Sequence, residues 1–415
     1  MRVGEVRDAE RAGWGKPLDG VRVLAIEQMQ ALPYATQLMA HLGAQIVKIE
    51  APVHGESGRA SRPRVRDAFG RDVGATYVRN NLSKRSVCID LRKDAGRALL
   101  LRLLPRFDVV AENMKPGTAQ RLGLGYEAVS EAAPRVVYVS ISGFGHQSES
   151  PYVTWPAYAP IVEAMAGLYE PNRPADGPPP VVVAGALGDN ASALFAVIGT
   201  LAALRQRDRT GRGQHVDVSM YDAMVALTDM VPFMWSIGAP PSAAGAGSTG
   251  IVGAFRARDG YFVVAIFREH MFERFADAIG HPEWCGDERF ATREGWAAHT
   301  DSVVRPALER WARARTKLEA ARALCAQGIA AGPSNLAADI RADPHVQLRD
   351  MLIEVPRADG GDPMLVVGNP VKLSDVAEGP VESFPGLGQH TDEVLRETLA
   401  LDDHELRALR EQGVI

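Results

Sequence analysis

The sequence predicts an α/β protein with a large domain built on a doubly wound parallel sheet and a smaller α+β domain. Three observations predict it. Short runs rich in Val and Ile alternate with helical segments through the first half of the chain, as expected where helices form the crossovers between parallel strands. A small-residue stretch at 238–253 then interrupts the chain, and beyond it a single strand signal leads into a series of helices. The 415 residues are 46% hydrophobic, enough for two domains or one large interrupted domain.

After a polar leader at 1–17, periodicity predicts a strand at 21–26, a short helix at 34–42 closed by Gly43, and a strand at 45–50, which together make a βαβ unit. A polar, Gly/Arg-rich stretch follows at 54–73. Lys84 and Arg85 read as a solvated turn, with contact to a phosphate as the alternative, ahead of a strand at 86–90; then come a helix at 94–104 and strands at 108–112 and 135–142. Asn113 and Ser142 fall at the carboxyl ends of these strands, where doubly wound sheets bind ligands. An apolar run at 191–204, headed by Gly185-Ala-Leu-Gly-Asp189-Asn190, reads as a buried helix, and 215–220 as another strand. Residues 221–237 look helical with a break at Pro232. Beyond the linker, 261–265 reads as a strand, and Thr316-Lys-Leu-Glu319 has capping-box spacing ahead of a helix. Strands at 351–355 and 363–367 and helices at 391–399 and 403–412 complete the chain. Tyr158, Met165 and Tyr169 read either as the border of an acyl pocket or, near helical spacing, as core.

Composition narrows the function. A net charge of −5 without long like-charge blocks suggests neither a nucleic-acid stripe nor a polybasic membrane patch. Three scattered cysteines suit a reducing compartment. Residues 1–17 lack an apolar signal core, and no run of about 18 apolar residues escapes a polar break. The expectation is a cytoplasmic protein whose partners are small molecules or its own copies. The ten histidines show no spacing typical of a metal site, so no metal is expected. Gly123-Leu-Gly125 and Gly143-Phe-Gly145 fall short of a dinucleotide fingerprint, and no Gly-x-Ser-x-Gly elbow occurs. Carboxylate chemistry remains, and Asp189 is its best-placed candidate. By local pattern alone Asp189 reads as an N-cap, beside glycines that let another molecule approach the backbone.

The ordered motifs go further. Leu18-Asp-Gly-Val-Arg-Val-Leu, Leu42-Gly-Ala-Gln-Ile-Val-Lys-Ile-Glu50, Asn81-Leu-Ser-Lys-Arg-Ser86, Glu112-Asn-Met-Lys-Pro-Gly117 with Arg121-Leu-Gly123, Gly188-Asp189, Thr210-Gly-Arg-Gly-Gln214 and Leu387-Gly-Gln-His-Thr391 follow one another across most of the chain. In this order the chain resembles the family III coenzyme A transferases, whose superfamily also holds the α-methylacyl-CoA racemases. The resemblance implies a large Rossmann-like domain at 18–225, a helix and linker at 226–252, a small α+β domain at 253–350, a return linker at 351–384, and a C-terminal return to the large domain at 385–415. It implies an interlocked homodimer.

It further implies that Asp189 is a nucleophile that carries first the acyl group as an anhydride and then CoA as a thioester. CoA and acyl-CoA are then substrates, exchanged with a free carboxylic acid, and no cofactor is permanently bound. Gln30 and Ala31 match positions beside the thioester, and Asn113, Met114 and Arg121 match positions lining the nucleotide part of CoA. Gln30 alternatively satisfies backbone groups at a strand-to-helix turn. Gly245-Ala-Gly-Ser-Thr-Gly250 stands where formyl-CoA transferases carry a mobile glycine loop, and a plain linker reads equally well. Where racemases carry a Gly-His-Asp segment, this chain has Val153-Thr-Trp-Pro-Ala-Tyr158, without the histidine a two-base reaction needs. A racemase with another base and a CoA-binding protein without turnover are the alternatives.

Overall fold

A computed structural model describes residues 10, 13–66, 70–146, 149–174, 176–182, 185–239, 249–357, 359–379 and 381–415. Residues 245–248 of the glycine-containing segment lie outside them. The chain divides into two compact units, the first comprising 1–166, 181–227 and 344–415 and the second 167–180 and 228–343.

The first unit holds β1 (Arg22–Ile26), α1 (Ala31–His41), β2 (Gln45–Glu50), a small hairpin of β3 (Arg64–Arg66) and β4 (Asp72–Gly74), α2 (Ala75–Arg79), β5 (Lys84–Cys88), α3 (Asp94–Leu103), β6 (Val109–Glu112), α4 (Thr118–Arg121), α5 (Tyr126–Ala132), β7 (Val137–Ser142), α6 (Ala159–Met165), α7 (Leu187–Thr210), β8 (His215–Ser219) and α8 (Met220–Leu227). Six strands form one parallel sheet in the order β5-β2-β1-β6-β7-β8. Numbered within the sheet, that order is 3-2-1-4-5-6, the doubly wound arrangement. Its switch point lies between β1 and β6, where a crevice opens at the carboxyl ends of the strands. Leu24, Val47, Val87, Leu100 and Val110 build the core on one face. On the other, the apolar residues of α7 pack against α1, β7, β8 and α8.

Several boundaries differ from the sequence reading for local reasons. The helix α1 starts at Ala31 rather than 34, because Pro33 in its first turn lacks only an N–H that would be unpaired there anyway. Lys84 is not in a solvated turn. It is buried in β5, where Nζ donates to Glu27 Oε1 at 2.7 Å and to Thr36 Oγ1 at 2.7 Å. Arg85 pairs with Glu393 and Glu397. The helix at Asp189 begins two residues earlier, at Leu187, with Ala186 left-handed at its N-cap (φ 48°), so Asp189 is inside the first turn and is not the cap. Among the described residues α7 alone is long and apolar enough to cross a bilayer, yet half of that stretch is buried inside the fold.

In the second unit, α9 (Met230–Ser236) has Pro232 in its first turn, so the break falls before the proline, at 228–229. The strands β9 (Ile251–Ala257) and β10 (Gly260–Ile266) form an antiparallel hairpin extended by β11 (Ala330–Pro333). The first of these falls largely within and beyond what reads as linker. The helices α10 (Glu269–Ala278), α11 (Arg293–Ala298), α12 (Arg305–Ala312) and α13 (Lys317–Cys325) surround a core that includes Phe255, Phe262, Phe275, Trp284 and Trp296, and α14 (Ala337–Ala342) follows with no buried residue. The Thr316/Glu319 capping box is formed.

The chain then rejoins the first unit through α15 (Pro344–Leu348), the hairpin β12 (Leu352–Val355) and β13 (Met364–Val367), α16 (Thr391–Leu399) and α17 (Asp403–Glu411). Val394, Leu395, Leu406 and Val414 enter the same core as Leu24 and Val87.

Candidate active site

Buried ion pairs hold the carboxyl ends of β1 and β2. Glu27, just past β1, accepts from Thr36 Oγ1 at 2.6 Å and from Lys84, with Lys48 Nζ 3.5 Å away. Glu50 at the end of β2 takes both arms of Arg59 at 2.7 Å and the Ser86 hydroxyl at 2.6 Å. Each charge is taken from water, and each has a partner that compensates for it. The result is a stiff floor under the loop from β1 to α1.

That loop carries Gln30. Gln30 precedes α1 but makes no side-chain capping bond, so it does not serve the turn as the alternative reading supposed. Its Nε2 instead donates to Asn190 Oδ1 at 3.1 Å, on α7, while its Oε1 accepts from Asn80 Nδ2 at 3.3 Å and from the Arg79 guanidinium. Asn113, beyond β6, clasps the same loop: its Oδ1 accepts from Gln28 N and its Nδ2 donates to Gln28 O, both at 3.0 Å.

Asp189 is positioned from the other side. Gly188 N donates to Glu163 Oε1 at 2.9 Å, which ties the start of α7 to the buried face of α6. A Cβ on Gly188 would stand 2.8 Å from Val162 Cγ2 and 3.2 Å from Ala159 Cα. This glycine therefore permits close contact between α6 and α7; a helix of the chain itself, rather than a ligand, occupies the space. Burial, reinforced by the negative charge of Glu163 and opposed by Arg79, pushes the Asp189 carboxyl up to about 6. A desolvated carboxylate gives up less hydration when it attacks, and the N–H groups of the first turn favour negative charge beside it.

These groups meet in a cavity of about 570 Å³ lined by Gln30, Ala31, Asn113, Met114 and Asp189 among others. Five of the six site residues singled out from the sequence are thus brought together. Arg121 is not among the lining; it is exposed on α4 and donates to Thr118 Oγ1 at 2.9 Å. Of the three residues read as pocket border or core, Tyr158 lines the cavity with Trp155 and is 71% exposed. Gly143 at the end of β7 lets that segment approach, since a Cβ there would fall 2.4 Å from Ala157 Cβ. Sequence reasoning missed Glu163 and Arg79. A lone carboxylate within Ile161-Val-Glu-Ala-Met165 was the available signal for the first. The second had none, because its role depends on where α2 ends.

The model of CoA-transferase family III matches residues 18–391. The chain belongs to that family. Similar proteins include the formyl-CoA:oxalate CoA-transferase of Streptomyces coelicolor, 35% identical over 96% of this chain and 99% of the relative. Another is the succinyl-CoA:mesaconate CoA-transferase of Haloarcula marismortui, 34% identical over 92% and 96%. A solved CAIB/BAIF family protein from Brucella suis superposes with a TM-score of 0.81 at 30% identity, covering 92% of this chain and all of that one. The family membership makes the protein a CoA-transferase, on the mixed α/β fold expected of it.

Proposed function

We propose that this enzyme moves CoA from an acyl-CoA donor to a dicarboxylic acid, with Asp189 as the covalent carrier. The observation that carries the reading is the Asp189 carboxylate itself, partly buried, raised in pKa, and lining the switch-point cavity with Gln30. An Asp189 oxygen attacks the thioester carbonyl and the C–S bond breaks, releasing CoA thiolate and leaving an acyl-aspartyl anhydride. The thiolate attacks the aspartyl carbonyl, the donor acid leaves, and an aspartyl-CoA thioester remains. The acceptor carboxylate displaces the thiolate to form a second anhydride, and thiolate attack on the acceptor carbonyl gives the new thioester and frees Asp189. No water enters, and the transferred energy stays in acyl bonds. The Gln30 carboxamide, anchored on Asn190, is placed to orient the thioester, and Ala31 offers a backbone N–H at the start of α1. Asn113 and Met114 border the path of CoA, with Arg121 as a donor for its phosphates.

A dicarboxylic acceptor is supported from two sides. The acceptors named for similar enzymes, oxalate, mesaconate and D-citramalate, each carry two carboxyl groups. One carboxylate reacts and the other needs a cation, which Arg79 supplies beside Gln30, near enough to act on Asp189. The working form we propose is a cytoplasmic interlocked homodimer without a resident cofactor. In support, Leu194, Phe195, Ile198 and Leu201 are exposed along α7, an apolar face that a second copy of the chain would cover.

The test is oxygen transfer. With an acyl-CoA and an ¹⁸O-labelled acceptor, the label should appear on Asp189 by peptide mass spectrometry. CoA exchange with Asp189 unlabelled would overturn the mechanism, and α-proton exchange with solvent in place of CoA exchange would indicate a racemase.

A further inference from the structure

Beside the cavity, where the His146 side chain reaches the backbone of Met114, the fold assembles a second group of polar side chains. His146 follows β7, while His215 and Asp217 lie two residues apart on one face of β8, opposite Tyr138 and Ser140 of β7. His146 has a side chain only 5% exposed. Its Nδ1 lies 3.7 Å from Asp217 Oδ1 and its Nε2 lies 3.8 Å from Glu112 Oε1, both beyond hydrogen-bond reach. Nδ1 is buried and has no hydrogen-bond partner. One donor atom from each of His146, His215 and Asp217 lies within 4.8 Å of the other two.

The surroundings fix these groups as supporting residues fix metal ligands. Asp217 Oδ2 accepts the His146 backbone N–H at 2.8 Å, which holds the carboxylate in place. His215 Nε2 meets Ser140 Oγ at 2.6 Å, and the ring stacks on Tyr126 with centroids 5.1 Å apart.

We propose that His146, His215 and Asp217 bind a divalent transition-metal cation of the zinc class. Two imidazoles and one carboxylate match the donor preferences of zinc and its neighbours better than those of magnesium or calcium, which favour all-oxygen sites. Ligands around tetrahedral zinc stand about 3.3 Å apart, so the three donors close in by roughly 1.5 Å at most through side-chain torsions. The cation answers the orphaned Nδ1 and clamps the segment after β7 to edge strand β8. It is a structural site, since none of its three ligands lines the cavity. Sequence spacing gave no sign of it because the ligands come from two separate elements.

The experiment uses full-length, tag-free protein, stripped with chelator and titrated with Zn²⁺ alone by calorimetry, and with Co²⁺ followed by its visible absorption. The expected result is one equivalent per chain and a tetrahedral Co²⁺ spectrum. It includes a rise in melting temperature on Zn²⁺ addition that is lost in His215→Gln. His146→Gln and His215→Gln should each weaken binding at least about tenfold, while the transfer rate of folded His215→Gln stays within about twofold. Absence of stoichiometric binding, or affinity unchanged in both variants, overturns the proposal. His215 is the key position because Asp217 also holds backbone, so its replacement can fail to fold for another reason.

Discussion

Replacing Asp189 with Asn should stabilise the protein while it abolishes transfer, and by an amount that depends on pH. The carboxyl is displaced from its ordinary 3.8 to about 6. At 1.36 kcal/mol per pH unit, that displacement costs the native state about 3 kcal/mol once the group is ionised. The folded state holds this proton more tightly than the unfolded chain. Between about pH 4 and pH 6 it therefore binds more protons, and stability falls as pH rises through that window. Below it the penalty is absent; above it the penalty is complete. Asn carries no charge at any pH and forfeits only the favourable interaction of an anion with the first turn of α7, roughly 0.3–1 kcal/mol. The net expectation is a gain of about 2 kcal/mol at pH 7.5 that disappears at pH 4. Urea unfolding of both proteins, at one protein concentration and across that pH range, measures it. A variant no more stable than the parent at pH 7.5, or a difference that does not vary with pH, refutes the assignment of a desolvated, charge-crowded carboxylate.

Glu163→Gln retains an acceptor for Gly188 N but removes the charge that raises Asp189; the acidic limb of the kcat/KM profile should move down by roughly half a pH unit, and an unmoved limb refutes the coupling. Arg79→Ala should lower kcat/KM for dicarboxylic acceptors by about tenfold or more while sparing monocarboxylic ones; equal losses on both, in an acid-panel assay, refute acceptor recognition by this residue. Lys84→Met leaves Glu27 buried with Lys48 alone at 3.5 Å and should cost about 3 kcal/mol in chemical unfolding; a change below about 1 kcal/mol means that the pair is already solvated.

Much of the first unit was legible because a parallel sheet buries both faces and writes its strands as apolar runs such as 21–26 and 45–50. Strand order was not legible, since pairing such as Ile26 with Glu112 depends on crossovers and not on any local period. β9 escaped for a related reason: Gly253 and Ala254 lie in it, and the segment takes strand form by pairing with β10. The charged strand residues mislead most. Lys84 reads as solvated in sequence, yet it and Lys48 are both buried with Glu27 between them, a fact that only the juxtaposition of β1, β2 and β5 creates.

The proposed active site repeats that lesson at one residue. By local pattern, Asp189 after Gly188 reads as a helix cap, and a cap would have its carboxylate occupied by N–H groups and its pKa lowered. The left-handed Ala186 moves the helix start forward, and Glu163 takes the Gly188 N–H in place of Asp189. Asp189 is thereby relieved of capping and exposed to a second negative charge, and both effects leave its oxygens available and basic. The nucleophile proposed here needs those two conditions; burial does most to raise the carboxyl, and Glu163 on a different helix adds to it. The ordered motifs along the chain led to Asp189, but its surroundings are built in part by α6, which carries none of them.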